Sequence, residues 1–211
     1  MTTAIFFDLD GTLLQYGESF SALFERTLPT APEGAYEHYL ETFFASFADL
    51  STTPYADGFE AVVEKFDLGV DPALLATQYT KHELAATTVS EATATAVERV
   101  ATQYPTGVLT NGVLDVQRRK LEHHELDQFS QALVVSNDPD VAAQKPDSGI
   151  FEAAEDALPA DSYVYIGDTY DEDIVGARDA GWDAMYVGEE NRDEEVPTDP
   201  TVSDVVSRLL D

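Results

Sequence analysis

The sequence predicts an α/β fold: a doubly wound parallel sheet with an all-helical segment inserted after its first strand. Three observations predict it. The chain opens on an apolar extended run, "AIFFDLD" at residues 4–10; a long stretch with helical spacing of apolar residues follows; and from about Ser90 onward helical and strand-like patterns alternate. Strands separated by helices are joined by crossovers, which make the strands parallel and cover both faces of the sheet. A chain of 211 residues can bury about two-thirds of its unfolded surface, and it holds one domain or a domain with an insert.

Taken in order, the first strand ends in two aspartates one residue apart, Asp8 and Asp10, followed by Gly11. Apolar residues then recur at helical intervals in four groups: Phe20, Leu23, Phe24 and Leu28; Tyr36, Tyr39, Leu40, Phe43, Phe44 and Phe47; Phe59, Val62, Val63 and Phe66; Leu74, Leu75 and Tyr79. Asp71 and Pro72 give the fourth helix an N-cap and a first-turn residue. The alternating part reads as a helix through Val97 and Val100 before "GVLT", a helix through Val116 and Leu121 before "ALVVS", a helix through Ile150 and Phe151 before "YVYIGD", and a helix ending near Gly181 before "AMYV". The expected division is an α/β core of residues 1–14 and 89–211 and a helical domain of residues 15–88. An acidic loop, "EENRDEEVPTDP", is expected before a C-terminal helix.

Composition excludes several function classes. With 41 acidic residues against 11 Lys plus Arg, the formal net charge is −30; binding to nucleic acid backbones needs a basic patch and is not expected. Such a charge suits either a docking surface for a basic partner or solubility in molar salt. The acids are spread along the chain and only four lysines occur (Lys65, Lys81, Lys120 and Lys145), which favours a halophilic origin. Without cysteine there are no disulfides or thiolate metal sites, in keeping with a reducing cytosol. The N-terminal residues lack a basic n-region and no apolar run reaches membrane-spanning length, so a cytoplasmic protein without membrane contact is expected.

In open α/β sheets, ligands bind at the carboxyl ends of the strands. Side chains alternate along an extended chain, so Asp8 and Asp10 can point one way while Leu9 points into the protein. Like charges so close call for a bound cation or a shared proton; an ordinary Asp-Gly turn is the plain alternative. "GVLTNG" brings Thr110, Asn111 and Gly112 to the next strand end, a hydroxyl, an amide and backbone N–H groups suited to an anion, although Thr110 and Asn111 could equally cap the following helix. Lys145 follows the next strand and could be a solvated surface charge; Asp168 ends "YVYIGD", with Asp173 five residues on. Asp171 and Glu172 read as first-turn acids favoured by the helix dipole. His123 and His124 read as surface residues and Trp182 as packing.

Together, "DLDGT", "LTNG", "KP" and "GDTYDED" resemble the four ordered motifs of the haloacid dehalogenase-like superfamily, and the helical insert resembles its all-helical (C1) cap class. The resemblance implies a Rossmann-like core and a phosphatase that needs Mg²⁺, a hard ion held by a few carboxylates, water and substrate phosphate. It implies that Asp8 is the nucleophile forming an aspartyl-phosphate. Asp8, Asp168 and the Asp10 backbone carbonyl are then metal ligands, and the Asp10 side chain exchanges protons with leaving group and water. Thr110, the Asn111 backbone and Lys145 would hold the phosphoryl oxygens, with Asp173 orienting Lys145 or metal-bound water. The implied substrate is a small phosphorylated metabolite. A 2-haloacid dehalogenase shares the nucleophile but lacks the second aspartate of the first motif; a phosphosugar mutase shares both aspartates. A non-catalytic binding module would be expected to lose a key residue, and none is missing. Tyr16, Tyr55 and Asp57 are candidates for contacts with substrate in the helical segment, with turn and helix-boundary roles as the alternative.

Overall fold

The computed structural model describes residues 1–188, 193 and 195–210. Five of the twelve residues of the expected acidic loop, 189–192 and 194, lie outside the described residues. The chain divides into two compact units, one of Met1–Gln15 with Thr88–Asp211 and one of Tyr16–Thr87.

The first unit is the α/β core. Its strands are β1 (Thr3–Phe7), β4 (Thr106–Thr110), β5 (Ala132–Val135), β6 (Ser162–Gly167), β7 (Asp183–Val187) and β8 (Thr198–Asp199); the two-residue strands β2 (Gln15–Tyr16) and β3 (Thr87–Thr88) fall where the chain passes between the units. Among the described residues the core sheet has six strands in the order β5-β4-β1-β6-β7-β8, with every neighbouring pair parallel. β8 lies inside the segment expected to be loop, where it pairs with the edge of β7. The helices are α5 (Glu91–Ala101), α6 (Leu114–His123), α7 (Ser148–Ala157), a π-helical turn Tyr170–Val175 running into α8 (Gly176–Asp179), and α9 (Val202–Leu210).

Strand alternation explains why the sheet is covered twice. In β1, Ile5 and Phe7 join one apolar cluster with Val97 of α5, Leu121 of α6 and Val205 of α9. Ala4 and Phe6 join the other, with Ile150 and Phe151 of α7, Ala177 of α8 and Trp182. Ala4 to Phe7 are fully buried, and burying each large apolar side chain contributes about 1.5–3 kcal/mol. The order of the sheet places β1 between β4 and β6, so the parallel strands direct residues 8–10, 110–112 and 168 to one edge.

The second unit is helical: α1 (Phe20–Thr27), α2 (Ala35–Ala48), α3 (Pro54–Lys65) and α4 (Pro72–Ala86). Its core is rich in aromatics: Phe24 stacks on Phe59 at 5.6 Å, and Tyr39 lies 4.6 Å from Phe59. Asp71 caps α4 as expected, accepting from the Ala73 N–H at 2.9 Å. No described helix is long and apolar enough to cross a membrane.

Candidate active site

The chain leaves β1 in a tight turn in which the Gly11 N–H donates to the Leu14 carbonyl and the Leu14 N–H to that of Leu9. Leu9 is fully buried, as the alternation requires. Gly11 has φ of +96° and a Cβ there would lie 2.5 Å from Asp168 Oδ2, so a side chain is excluded both by backbone conformation and by the neighbouring carboxylate.

Among the described residues, Asp8 and Asp10 each accept from a different lysine. Asp8 Oδ1 accepts from Lys145 Nζ at 2.8 Å, whereas both oxygens of Asp10 accept from Lys120 Nζ at 3.0 Å and Oδ2 also accepts from Gln117 Nε2 at 2.7 Å. The like-charge problem posed by the sequence is met by a separate ammonium for each. Lys145 is buried, not a solvated surface charge: it also donates to Asp173 Oδ1 at 2.5 Å and to the Tyr165 hydroxyl at 2.8 Å. Asp173 is fully enclosed, and its second oxygen accepts from the Thr169 N–H. A Cβ on Gly167 would collide with the Asp173 carboxylate, so the glycine before Asp168 makes room for that pair.

Asp168 is half-buried and accepts from the Thr12 hydroxyl at 2.8 Å. Thr110 is buried and its hydroxyl lies 3.2 Å from Gln117 Nε2. The Asn111 side chain ties three segments together: its amide donates to the Lys145 carbonyl at 3.1 Å and to Glu172 at 3.0 Å, and its oxygen accepts from the Lys145 N–H at 2.8 Å. Glu172 therefore has a specific partner in addition to its place in a first helical turn.

The electrostatics follow from burial and from a shortage of positive charge. Burial is the largest influence on Asp8 and pushes its carboxyl up to about 7; Lys145 pulls it down, but Asp173 and Asp168 push it up again. Burial opposes the charge on Lys145, yet Asp8 and Asp173 together outweigh it and hold the ammonium above its ordinary pKa. Asp168 is raised by burial and by Asp173, against the lowering effect of Thr12. Burial and the same acids raise Tyr165 well above an ordinary phenol, so it remains a neutral donor; its hydroxyl proton goes to the Leu109 carbonyl at 2.7 Å.

Asp8, Asp168 and Asp173 can each bring one carboxylate oxygen within 4.8 Å of the others. An all-oxygen set in which burial pushes Asp8 and Asp168 toward neutrality fits a hard divalent cation, while both oxygens of Asp173 are engaged by Lys145 and the Thr169 N–H.

Lys120, Gln117, Tyr165, Thr12 and Glu172 escaped the sequence reading of the site. Lys120 and Gln117 sit three residues apart on one face of α6, a spacing visible in the sequence but indistinguishable there from a solvated helix surface. In the helical unit, Tyr16 donates to Glu83 at 3.1 Å. Tyr55 packs edge-on to Phe43 at 5.0 Å. Asp57 is occupied by the hydroxyls of Ser46, Ser51 and Thr53 near the start of α3, the helix-boundary role that was the alternative to substrate contact. His123 is exposed, and Trp182 is packed in the core.

The chain is 28% identical, over 99% of its length and 98% of the relative's, to a glyceraldehyde 3-phosphate phosphatase of Methanothermobacter thermautotrophicus. Its fold is similar to that of a 2-haloacid dehalogenase of Pseudomonas syringae (TM-score 0.75, 24% identity, 99% of this chain and 100% of that one). It is also similar to the magnesium-bound HAD hydrolase YfnB of Bacillus subtilis (TM-score 0.73, 20% identity, 100% and 99%). A family model described as haloacid dehalogenase-like hydrolase matches residues 2–181. With the six-stranded parallel sheet, its helical insertion and four motif segments gathered at one edge, the chain belongs to the haloacid dehalogenase-like hydrolase family.

Proposed function

We propose that this hydrolase is a Mg²⁺-dependent phosphatase of a small phosphorylated metabolite, working through an aspartyl-phosphate on Asp8. The observation that carries the reading is the cluster of three carboxylates, Asp8, Asp168 and Asp173, built around the buried ammonium of Lys145. Such a site has too little positive charge for its own acids, and it becomes balanced only with a cation and suits an anion beside it. Bound by Asp8, Asp168 and the Asp10 carbonyl, Mg²⁺ would hold Asp8 ionised and offset the charge of a phosphate dianion.

The protein's own groups then divide the work. An oxygen of Asp8 attacks phosphorus and the bond from phosphorus to the leaving oxygen breaks, while the Asp10 carboxyl gives that oxygen a proton. In the second half, the Asp10 carboxylate takes a proton from water, the water oxygen attacks phosphorus, and inorganic phosphate leaves with Asp8 restored. Lys145, Thr110 and the Asn111 backbone hold the phosphoryl oxygens, and Asp173 keeps Lys145 in place. The presence of Asp10 beside Asp168 favours phosphate over haloacid chemistry, and the relative's name, a phosphatase of a three-carbon phosphate, points the same way. We assign residues 15–88 the role of a C1 cap that selects the substrate, and we read the acidic composition as that of a cytoplasmic protein from a halophile.

The test is a panel of small phosphomonoesters, with glyceraldehyde 3-phosphate and 2-chloropropionate included, assayed in chelator and after Mg²⁺ is restored. Phosphate release that chelator abolishes and Mg²⁺ restores, with the phosphoryl group trapped on the Asp8 peptide after acid quench, is the expected outcome. Halide release in chelator would establish the dehalogenase reading, and net isomerisation of a phosphosugar the mutase reading.

A further inference from the structure

We propose that Lys120 and Gln117 are positioning residues for the Asp10 carboxylate and thereby set the rate at which the leaving group departs. The inference rests on the reading of Asp10 as proton donor given above. Its basis is the cost of the arrangement. The sequence has four lysines, and Lys120 is 1% exposed; an ammonium taken out of water costs several kcal/mol unless a charged partner offsets it. The partner is Asp10, gripped at both oxygens at 3.0 Å, with Gln117 adding a third contact at 2.7 Å.

Two-oxygen contact with one ammonium centres the carboxylate on Lys120 Nζ, and the Gln117 contact to Oδ2 alone sets how its plane is turned about that axis. Gln117 adds a reference to the phosphate side, since its amide also lies 3.2 Å from the Thr110 hydroxyl. The side chain passes where Gly112 has no Cβ; one there would lie 2.6 Å from Gln117 Cγ. The side chain of Asp10 remains 25% exposed, so it is held from behind while keeping a face open. A donor must lie within hydrogen-bond reach of the leaving oxygen, and displacements of about 1 Å can cost about a hundredfold in rate. A structural tether for α6 would need no contact with both oxygens of an aspartate in the first motif.

The experiment compares two phosphate esters on the Mg²⁺-loaded enzyme, an alkyl phosphate that it hydrolyses and p-nitrophenyl phosphate. Single-turnover release of the alcohol or the nitrophenolate isolates the first chemical step. The alkoxide needs a proton to depart and the nitrophenolate does not. For Lys120→Met, alcohol release should slow by about ten- to a hundredfold, with KM changing less than about threefold and with nitrophenolate release slowed several-fold less. Gln117→Met should show the same split in weaker form, and it carries the test if Lys120→Met fails to fold in a thermal melt. Equal slowing with both leaving groups, or a change confined to KM, overturns the inference. Asp10→Asn separates the two levels of the argument. If it shows the split and both helix variants do not, the positioning role is wrong; if Asp10→Asn lacks the split as well, the proton-donor reading falls and the inference with it.

Discussion

A buried lysine that serves two carboxylates can fully neutralise only one of them. Lys145 stands between Asp8 and Asp173, and the deficit falls on Asp8, whose carboxyl is pushed up to about 7 by burial and by the other acids. In the unfolded chain an aspartate titrates near about 4. The fold therefore favours protonated Asp8, a contribution present in full below the unfolded value and lost as pH rises through the folded one. In chelator, the stability of Asp8→Asn should exceed that of the parent at pH 8, by roughly 1–4 kcal/mol, and the difference should vanish toward pH 4. Urea melts of the two proteins across that range measure it; parallel curves would show that Asp8 is not strained. Asp8→Asn should also lack turnover with its fold intact. Asp8 and Asp168 were legible in the sequence because each directly follows a strand, where carboxyl ends collect ligands, and Lys145 because it lies in the segment between β5 and α7. Lys120, Gln117 and Tyr165 were not, since a helix face and the inside of a strand carry no local sign that a polar side chain is buried.

At the scale of elements, close approach decides what can change. Gly58 in α3 would place a Cβ 2.8 Å from the ring of Tyr39 in α2, and Tyr39 is itself locked among Phe24, Phe59 and Tyr79. Gly58→Ala should destabilise the helical unit by about 1–3 kcal/mol through overpacking, read as a lower denaturant midpoint for the helical signal; an unchanged midpoint would mean that α2 and α3 can separate freely. Gly167→Ala, at the end of β6, should displace Asp173 from Lys145 and reduce turnover without touching any residue that contacts substrate. The four helices of the insert and the strands from β4 to β7 were legible because their apolar spacing is regular over many residues. The π-helical turn Tyr170–Val175 and the two-residue β8 were not. A single widened turn and a two-residue strand are too short for periodicity to register; in the fold the Thr169 N–H reaches the Asp173 carboxylate and β8 pairs with β7.

For the molecule as a whole, charge is the dominant variable. At ~0.01 M salt the Debye length is about 30 Å, so a protein of net charge −30 repels both itself and a dianionic substrate. At ~1 M the length falls to about 3 Å, and only contact partners such as Lys145 are felt. Tm and kcat/KM should both rise between low and molar KCl at fixed Mg²⁺, the reverse of what salt does to phosphate binding in a basic site. Flat or falling values across a KCl series would favour the acidic surface as a docking face for a basic partner.

The placement of the single tryptophan gives the protein an optical asymmetry. Trp182 belongs to the α/β unit, stacked on Tyr163 at 4.6 Å and donating to Glu155 at 2.8 Å, while the helical unit carries five of the ten tyrosines and no indole. Excitation at the red edge therefore reports on one unit alone, whereas far-ultraviolet dichroism sums over both. If the dichroism begins to fall at a lower temperature than the tryptophan signal, the helical unit has come apart on its own, and the gap between the curves measures how far the two parts of the chain fold independently.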